Sequence, residues 1–244
     1  MTEWFSKFIE DFKLNFIDGD RWKWLVEGLG ATLLITFAAL IIGVVLGIIV
    51  AMVRSTYDKN GEGMKKRGGF SYIALKVSNS ICNVYLTVIR GTPMVVQLLI
   101  WYFIILASAK NGTIVAIIAF GINSGAYVAE IFRSGIMAVD NGQFEAGRSL
   151  GFNYAQTMTY IIVPQAFKTV LPTLCNEFIV LIKETSIAGY VGIMDLTKAG
   201  DLIRGRTFSA FMPLIAVALI YLALVMVLTW LVGKLERRLR KSER

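Results

Sequence analysis

Histidine does not occur among the 244 residues. Its absence removes the side chain that most often acts as a general base near neutral pH and as a transition-metal ligand. His-based catalysis and most transition-metal sites are therefore excluded. Cysteine is almost as scarce: Cys82 and Cys175 stand in apolar surroundings and read as small buried hydrophobes rather than as a disulfide or a metal pair. Charge is thin as well, at 17% of residues against about 25% in soluble domains. There is no G-x-x-x-x-G-K-[ST] phosphate loop; the nearest fragment, Gly61-Glu62-Gly63-Met64-Lys65-Lys66, lacks both the spacing and the hydroxyl. The chain is accordingly expected not to be an enzyme and to hold no metal or cofactor of its own.

What replaces these residues is apolar sequence in long runs, with a mean hydropathy of +0.63. A membrane-crossing helix needs about 20 mostly apolar residues, because the hydrocarbon core is about 30 Å thick and a helix rises about 1.5 Å per residue. "GATLLITFAALIIGVVLGIIVAMV" (30–53) and "FMPLIAVALIYLALVMVLTWLVG" (211–233) meet that need, the first with no charge at all. Three more polar runs lie between them. The reading is an all-α integral membrane protein of five transmembrane helices, with spans at about 28–53, 78–107, 112–132, 166–186 and 209–233. The outer two spans can face lipid; the polar inner ones must face protein or water.

The distribution of Lys and Arg sets the orientation. Arg54, Lys59, Lys65, Lys66 and Arg67 follow the first span, and Lys234, Arg237, Arg238, Arg240, Lys241 and Arg244 fill the tail at 234–244. With five spans both segments lie on one side, the cytoplasm, which leaves the N-terminus outside. The basic tail reads as topology signal and anionic-lipid contact rather than nucleic-acid binding. Residues 1–25 show no cleavable signal peptide. Instead Phe5, Phe8, Ile9, Phe12 and Phe16 recur at helical spacing, which predicts an amphipathic helix lying in the membrane surface.

One cytoplasmic stretch is too polar to cross a bilayer and too patterned for a slack loop: "EAGRSLGFNYAQTMTYIIVPQAF" (145–167). The spacing predicts a short helix capped by Asp140 with Gln143 three residues on, a left-handed Gly151, and a second helix capped by Asn153 with Gln156. That second helix is expected to stop before Pro164, whose ring disfavours helix at Val163. Two readings of this hairpin are open. An interfacial element wants a Lys/Arg-rich face, and Arg148 is the sole basic residue between Gln143 and Pro164. A dock for a soluble partner fits better, with Gly147 and Gly151 allowing close approach and Phe144, Phe152 and Tyr154 as apolar anchors.

The order Glu145-Ala146-Gly147, Gly151, Ile161, Val163-Pro164 resembles the E-A-A motif of bacterial ATP-binding-cassette importer permeases, with Gly147 for the third position's Ala and Val163 for Leu. "RGTPMVVQLL" (90–99), "NSGAYVAEIFRSGI" (123–136) and "LPTLCNEFIVLIKETSIAG" (171–189) are similar to the polar amino acid branch of that family. The resemblance runs from about residue 28 to 233, leaving the N-terminal 25 residues unexplained. It implies the type I importer permease fold across 26–233, with 140–164 as the coupling segment and Glu145, Ala146, Gly147, Gly151 and Phe152 at the ATPase contact. It also implies partners: two cytoplasmic ATPase subunits that bind ATP and Mg, a second permease copy or a paralogue, and an extracytoplasmic amino-acid-binding protein. An ion-coupled secondary transporter and a permease for another solute class are the alternatives.

Polar residues of the inner spans are the expected substrate path. Asn123, Tyr127 and Glu130 share one helix face at i, i+4, i+7. Asn176, Glu177 and Lys183 lie on the fourth span, where intramembrane charge marks function by default. A carboxylate and an ammonium together would pair both ends of an amino acid; snorkelling of Lys183 to water is the competing reading. Arg90-Gly91-Thr92-Pro93 reads as a kink, in which proline removes a donor, glycine permits the bend and Thr92 can satisfy a freed carbonyl.

Overall fold

The computed structural model describes residues 2–241. Met1 and the end of the expected basic tail, Ser242 to Arg244, lie outside them, as do the side chains of Thr2, Glu3, Arg67, Arg240 and Lys241. Among the described residues there are helices and no strand. In chain order the α-helices are α1 (Thr2–Phe12), α2 (Trp22–Arg67), α3 (Phe70–Gly91), α4 (Met94–Ile100), α5 (Gly112–Met137), α6 (Asn141–Ser149), α7 (Tyr154–Thr157), α8 (Val163–Glu184), α9 (Leu196–Thr207) and α10 (Phe211–Lys241). Single π-helical turns follow α1, α4 and α7, and a 3-10 turn, Thr185–Val191, follows α8.

Four of these helices are long and apolar enough to cross a membrane: Trp22–Lys66, Phe70–Gly91, Gly112–Met137 and Phe211–Leu239. Two departures from the sequence reading stand out. The expected second span, 78–107, begins earlier, at Phe70, and is interrupted where the kink was expected: α3 ends at Gly91, Thr92 is extended, and α4 restarts at Met94. The helix holding the expected fourth span, α8, matches α3 in length but is not among the four. Lys168, Asn176, Glu177, Lys183 and Glu184 dilute its apolar content.

Exposure follows the spans. α2 turns Leu34, Phe37, Ile41, Val45, Ile49 and Met52 outward at three- and four-residue spacing. α3 does the same with Ile73, Val77, Ile81, Val84 and Val88. In a soluble protein such stripes would drive aggregation; in a bilayer they are the lipid face. By contrast, Val115, Ala116, Ala119, Phe120, Ala126, Val128 and Ala129 of α5 are all at most 1% exposed.

The chain folds as two compact units. The first comprises residues 1–39, 94–120 and 178–231. Its core gathers Phe16, Leu25, Leu196, Ala199, Ile203 and Val217. Asn15, wholly buried, accepts a hydrogen bond from the Thr207 hydroxyl (2.8 Å) and donates to the Asp11 carbonyl (2.7 Å), so the N-terminal segment is tied to the end of α9. Asp195 caps α9 through the amides of Thr197 and Lys198. Burial pushes its carboxyl above the usual range, against those two donors.

The second unit comprises residues 40–93, 121–177 and 232–244. Here α2 and α5 approach closely because α2 has no side chain at the crossing. A Cβ on Gly43 would stand 3.1 Å from Ser124, and one on Gly47 would stand 2.5 Å from Val128 and 2.9 Å from the Ala129 amide. Gly43-x-x-x-Gly47 is thus a small-residue stripe of the kind that lets membrane helices pack by backbone approach. Tyr85 of α3 closes the group by donating to the Ile122 carbonyl at 2.6 Å.

Candidate functional site

The hairpin of α6 and α7 is built from local signals. The Asp140 side chain accepts from the Gly142 amide at 2.6 Å and starts α6. Gln143 does not complete a capping box there; its side-chain carbonyl instead accepts from Gln165 at 3.3 Å. α6 ends in a Schellman motif: Gly151 has φ +81°, the Phe152 amide reaches the Gly147 carbonyl (3.0 Å), and the Gly151 amide reaches Arg148 (2.9 Å). Asn153 and Gln156 then exchange a full capping box, both bonds 2.9 Å.

The helix does not stop at Pro164. A π turn, Met158–Ile162, leads directly into α8, with the Val163 amide bonded five residues back to Met158. Pro164 is the second residue of α8 and lies directly after the π turn, inside one unbroken helical run that starts at Tyr154. The π turn carries the chain past the proline without a break.

Burial divides the hairpin's residues. Phe144, expected as an outward anchor, is 8% exposed and packs with Ile136, Ile162 and Ala166, with the Lys59 ammonium 4.8 Å from its ring centre. Gly147 is also buried. A Cβ there would stand 2.7 Å from the Thr157 methyl and 2.8 Å from its hydroxyl, so the glycine admits α7 and not an outside partner. Glu145, Ala146, Gly151 and Phe152 are exposed. Leu150 is 72% exposed, Tyr160 69%, and the Phe152 and Tyr160 rings lie 6.2 Å apart. The outward surface is thus a carboxylate beside a compact apolar patch on a rigid turn.

The path residues fall into separate groups. Glu130 is held by Arg133, with Nε to Oε1 at 2.7 Å and Nη2 to Oε2 at 3.2 Å. Arg90 stands 4.0 Å from the same carboxylate and 5.7 Å from the ring centre of Tyr127. The partner of Arg90 is therefore an acid of this chain. Asn123 is 2% exposed. Its neighbour Ser124 donates to Glu177 at 2.9 Å, which binds α5 to α8. Asn176 and Lys183 are exposed on α8, Lys183 in the first unit and the others in the second. At the break of α3, the Thr92 hydroxyl donates to the Val88 carbonyl at 2.8 Å.

Sequence reasoning missed Asp58, Arg133, Gly43 and Gly47. Arg133 carried a signal, three residues after Glu130 on the same helix. Gly43-x-x-x-Gly47 in an apolar run was another. Asp58 carried none, since its partner is 75 residues away.

With this geometry in view, comparison places the chain. Residues 73–241 match the family described as binding-protein-dependent transport system inner membrane component, and the chain belongs to it. The arginine transport system permease protein ArtQ of Bacillus subtilis (strain 168) is 36% identical over 90% of this chain and 94% of its own length. The glutamine transport system permease protein GlnP of Escherichia coli (strain K12) is 34% identical over 88% and 93%. In structure, the chain is similar to a crystal structure of an amino acid ABC transporter with histidines: TM-score 0.76, 39% identity, 88% of this chain and 94% of that one. The fold is that of a type I ABC importer permease, and the protein is an inner membrane component.

Proposed function

We propose that this chain is the permease subunit of an ATP-driven importer of polar amino acids. The observation that carries the reading is the rigid hairpin that presents Glu145, Ala146, Leu150, Gly151 and Phe152 outward while Gly147 and Phe144 fix it from within. A membrane protein has little use for an apolar patch on a doubly capped turn unless something soluble covers it. The permease names and amino acid titles of the similar proteins support the same reading.

ATP and Mg are bound and hydrolysed on two cytoplasmic ATPase subunits, each receiving one coupling segment. A second permease copy or a paralogue completes the path, and an extracytoplasmic binding protein delivers the amino acid. Five spans cross the bilayer, α8 among them, shielded from lipid by its partners. The basic segments at 54–67 and 234–244 lie in the cytoplasm and α1 rests on the outer surface. Along the path, Glu177, oriented by Ser124, receives the substrate ammonium. Asn123, Tyr127 and Asn176 line the route. Glu130 is occupied by two guanidinium groups and serves the architecture.

The test is co-purification of the tagged chain from native membranes, wild type beside Leu150→Asp. Leu150 is exposed, so the variant charges the dock without disturbing the core. A cytoplasmic ATPase recovered with the wild type and lost with the variant supports the reading. No ATPase with a folded wild type overturns it.

A further inference from the structure

α2 is far longer than a bilayer needs. Its 46 residues rise about 69 Å at about 1.5 Å each, against a hydrocarbon core of about 30 Å. The uncharged run ends at Val53, and the helix continues unbroken to Arg67. That extension carries two adjacent charged residues that reach either side of the elbow joining α5 to α6. Asp58 accepts from Arg133 Nη1 at 3.3 Å, at the last turns of α5. Lys59 donates to Asn141 Oδ1 at 2.6 Å, at the first residue of α6, and its ammonium lies 4.8 Å from the Phe144 ring centre. Arg133 passes the contact on to Glu130, and Glu130 to Arg90, two residues before Thr92 and Pro93 interrupt the α3–α4 path.

We infer that the extension of α2 is a strut that makes the coupling segment, α5 and α2 move as one body. Asp58 and Lys59 are its positioning residues. The inference rests on the coupling role proposed above. Residues 138–140, which join α5 to α6, are not helical and can bend at little cost. A push on α6 would be absorbed there if nothing bridged the elbow. Asp58 and Lys59 bridge it from outside the bend, and a contiguous set of charged pairs then extends to the break in α3. A packed element that keeps one arrangement through the cycle transmits displacement; a slack one dissipates it.

The experiment uses the complex with its ATPase and binding protein in proteoliposomes, Cys82 and Cys175 replaced by serine. Lys59→Cys and Asn141→Cys are combined, and amino acid uptake per ATP hydrolysed is measured before and after a short, reducible bifunctional thiol reagent is added. Without the cross-link, uptake per ATP is expected to fall about tenfold, within the range typical of coupling between sites. With it, the ratio should return towards that of the serine-only background, and reduction should abolish it again. Lys59→Arg alone should keep most of the coupling.

Four results would overturn the strut. The first is an uncross-linked pair that matches the background, which makes the tie idle. A cross-link that stops transport would mean the two elements must separate. A cross-link that restores nothing would mean the residues act by another route. A lower yield of assembled complex with unchanged uptake per ATP would mean they serve folding alone. A wild-type complex that hydrolyses no ATP and imports nothing fails the coupling reading instead, which keeps the two claims apart.

Discussion

Thr157 fills the space that a methyl group at position 147 would need. This gives a physical reason for glycine where the motif resembled has alanine, because α6 and α7 are pressed together at that point. Gly147→Ala is expected to overpack the hairpin and cost about 1–3 kcal/mol, read as a lower melting temperature and weaker ATPase capture. Adding Thr157→Ala removes the colliding atoms and should recover a large part of the loss. The path residues separate at the same scale. Glu177→Gln should raise the uptake KM about tenfold, since hydrogen bonds to charged groups contribute about 1.5–3 kcal/mol. Glu130→Gln should leave KM unchanged and lower the maximal rate, because it strips Arg133 and Arg90 of a shared partner. Equal KM effects for the two variants would contradict this division.

Between elements, the close crossing of α2 on α5 depends on bare backbone at Gly43 and Gly47. Gly47→Leu would drive a side chain into Val128 and the Ala129 amide, where overpacking costs about 1–3 kcal/mol or more. The expected result in detergent is early thermal aggregation by size-exclusion chromatography, with Gly30→Leu, which meets nothing within 4 Å, as the tolerated control. Removing the buried α9 cap by Asp195→Ala should cost about 1 kcal/mol, seen as a melting shift that Asp195→Asn largely avoids.

What could be read beforehand at this scale was what is local. Asp140, Gly151 and the Asn153–Gln156 box act within five residues of themselves, so composition and spacing suffice to place them. The interior of the hairpin was not legible. Phe144 looks like an anchor until Lys59, 82 residues before Asn141 of the same helix, is seen to reach its ring. Pro164 misled for a related reason: the π turn at Met158–Ile162, just ahead of it, changes the hydrogen-bond register and carries the helix through. The kink at Arg90-Gly91-Thr92-Pro93 was legible because proline and glycine act locally, whereas the start of α3 at Phe70, ahead of the drawn span, was not. The candidate path was visible as a set of polar residues, but not which of them were already occupied by one another.

For the whole molecule, the exposed apolar stripes of α2, α3 and α10 and the buried faces of α5 describe a protein built to sit in lipid and to be completed by partners. Its family works with binding proteins, and the function proposed above makes the hairpin the dock for the ATPase. The account's central claim is that transport through this chain is driven by ATP hydrolysed on another subunit. The most direct test is uptake of labelled arginine and glutamine into proteoliposomes holding the purified complex, with its binding protein outside and ATP inside. The account predicts uptake of at least one of the two that requires internal ATP, persists with ionophores present, and is lost in Leu150→Asp. Uptake driven by a sodium or proton gradient without ATP would contradict it.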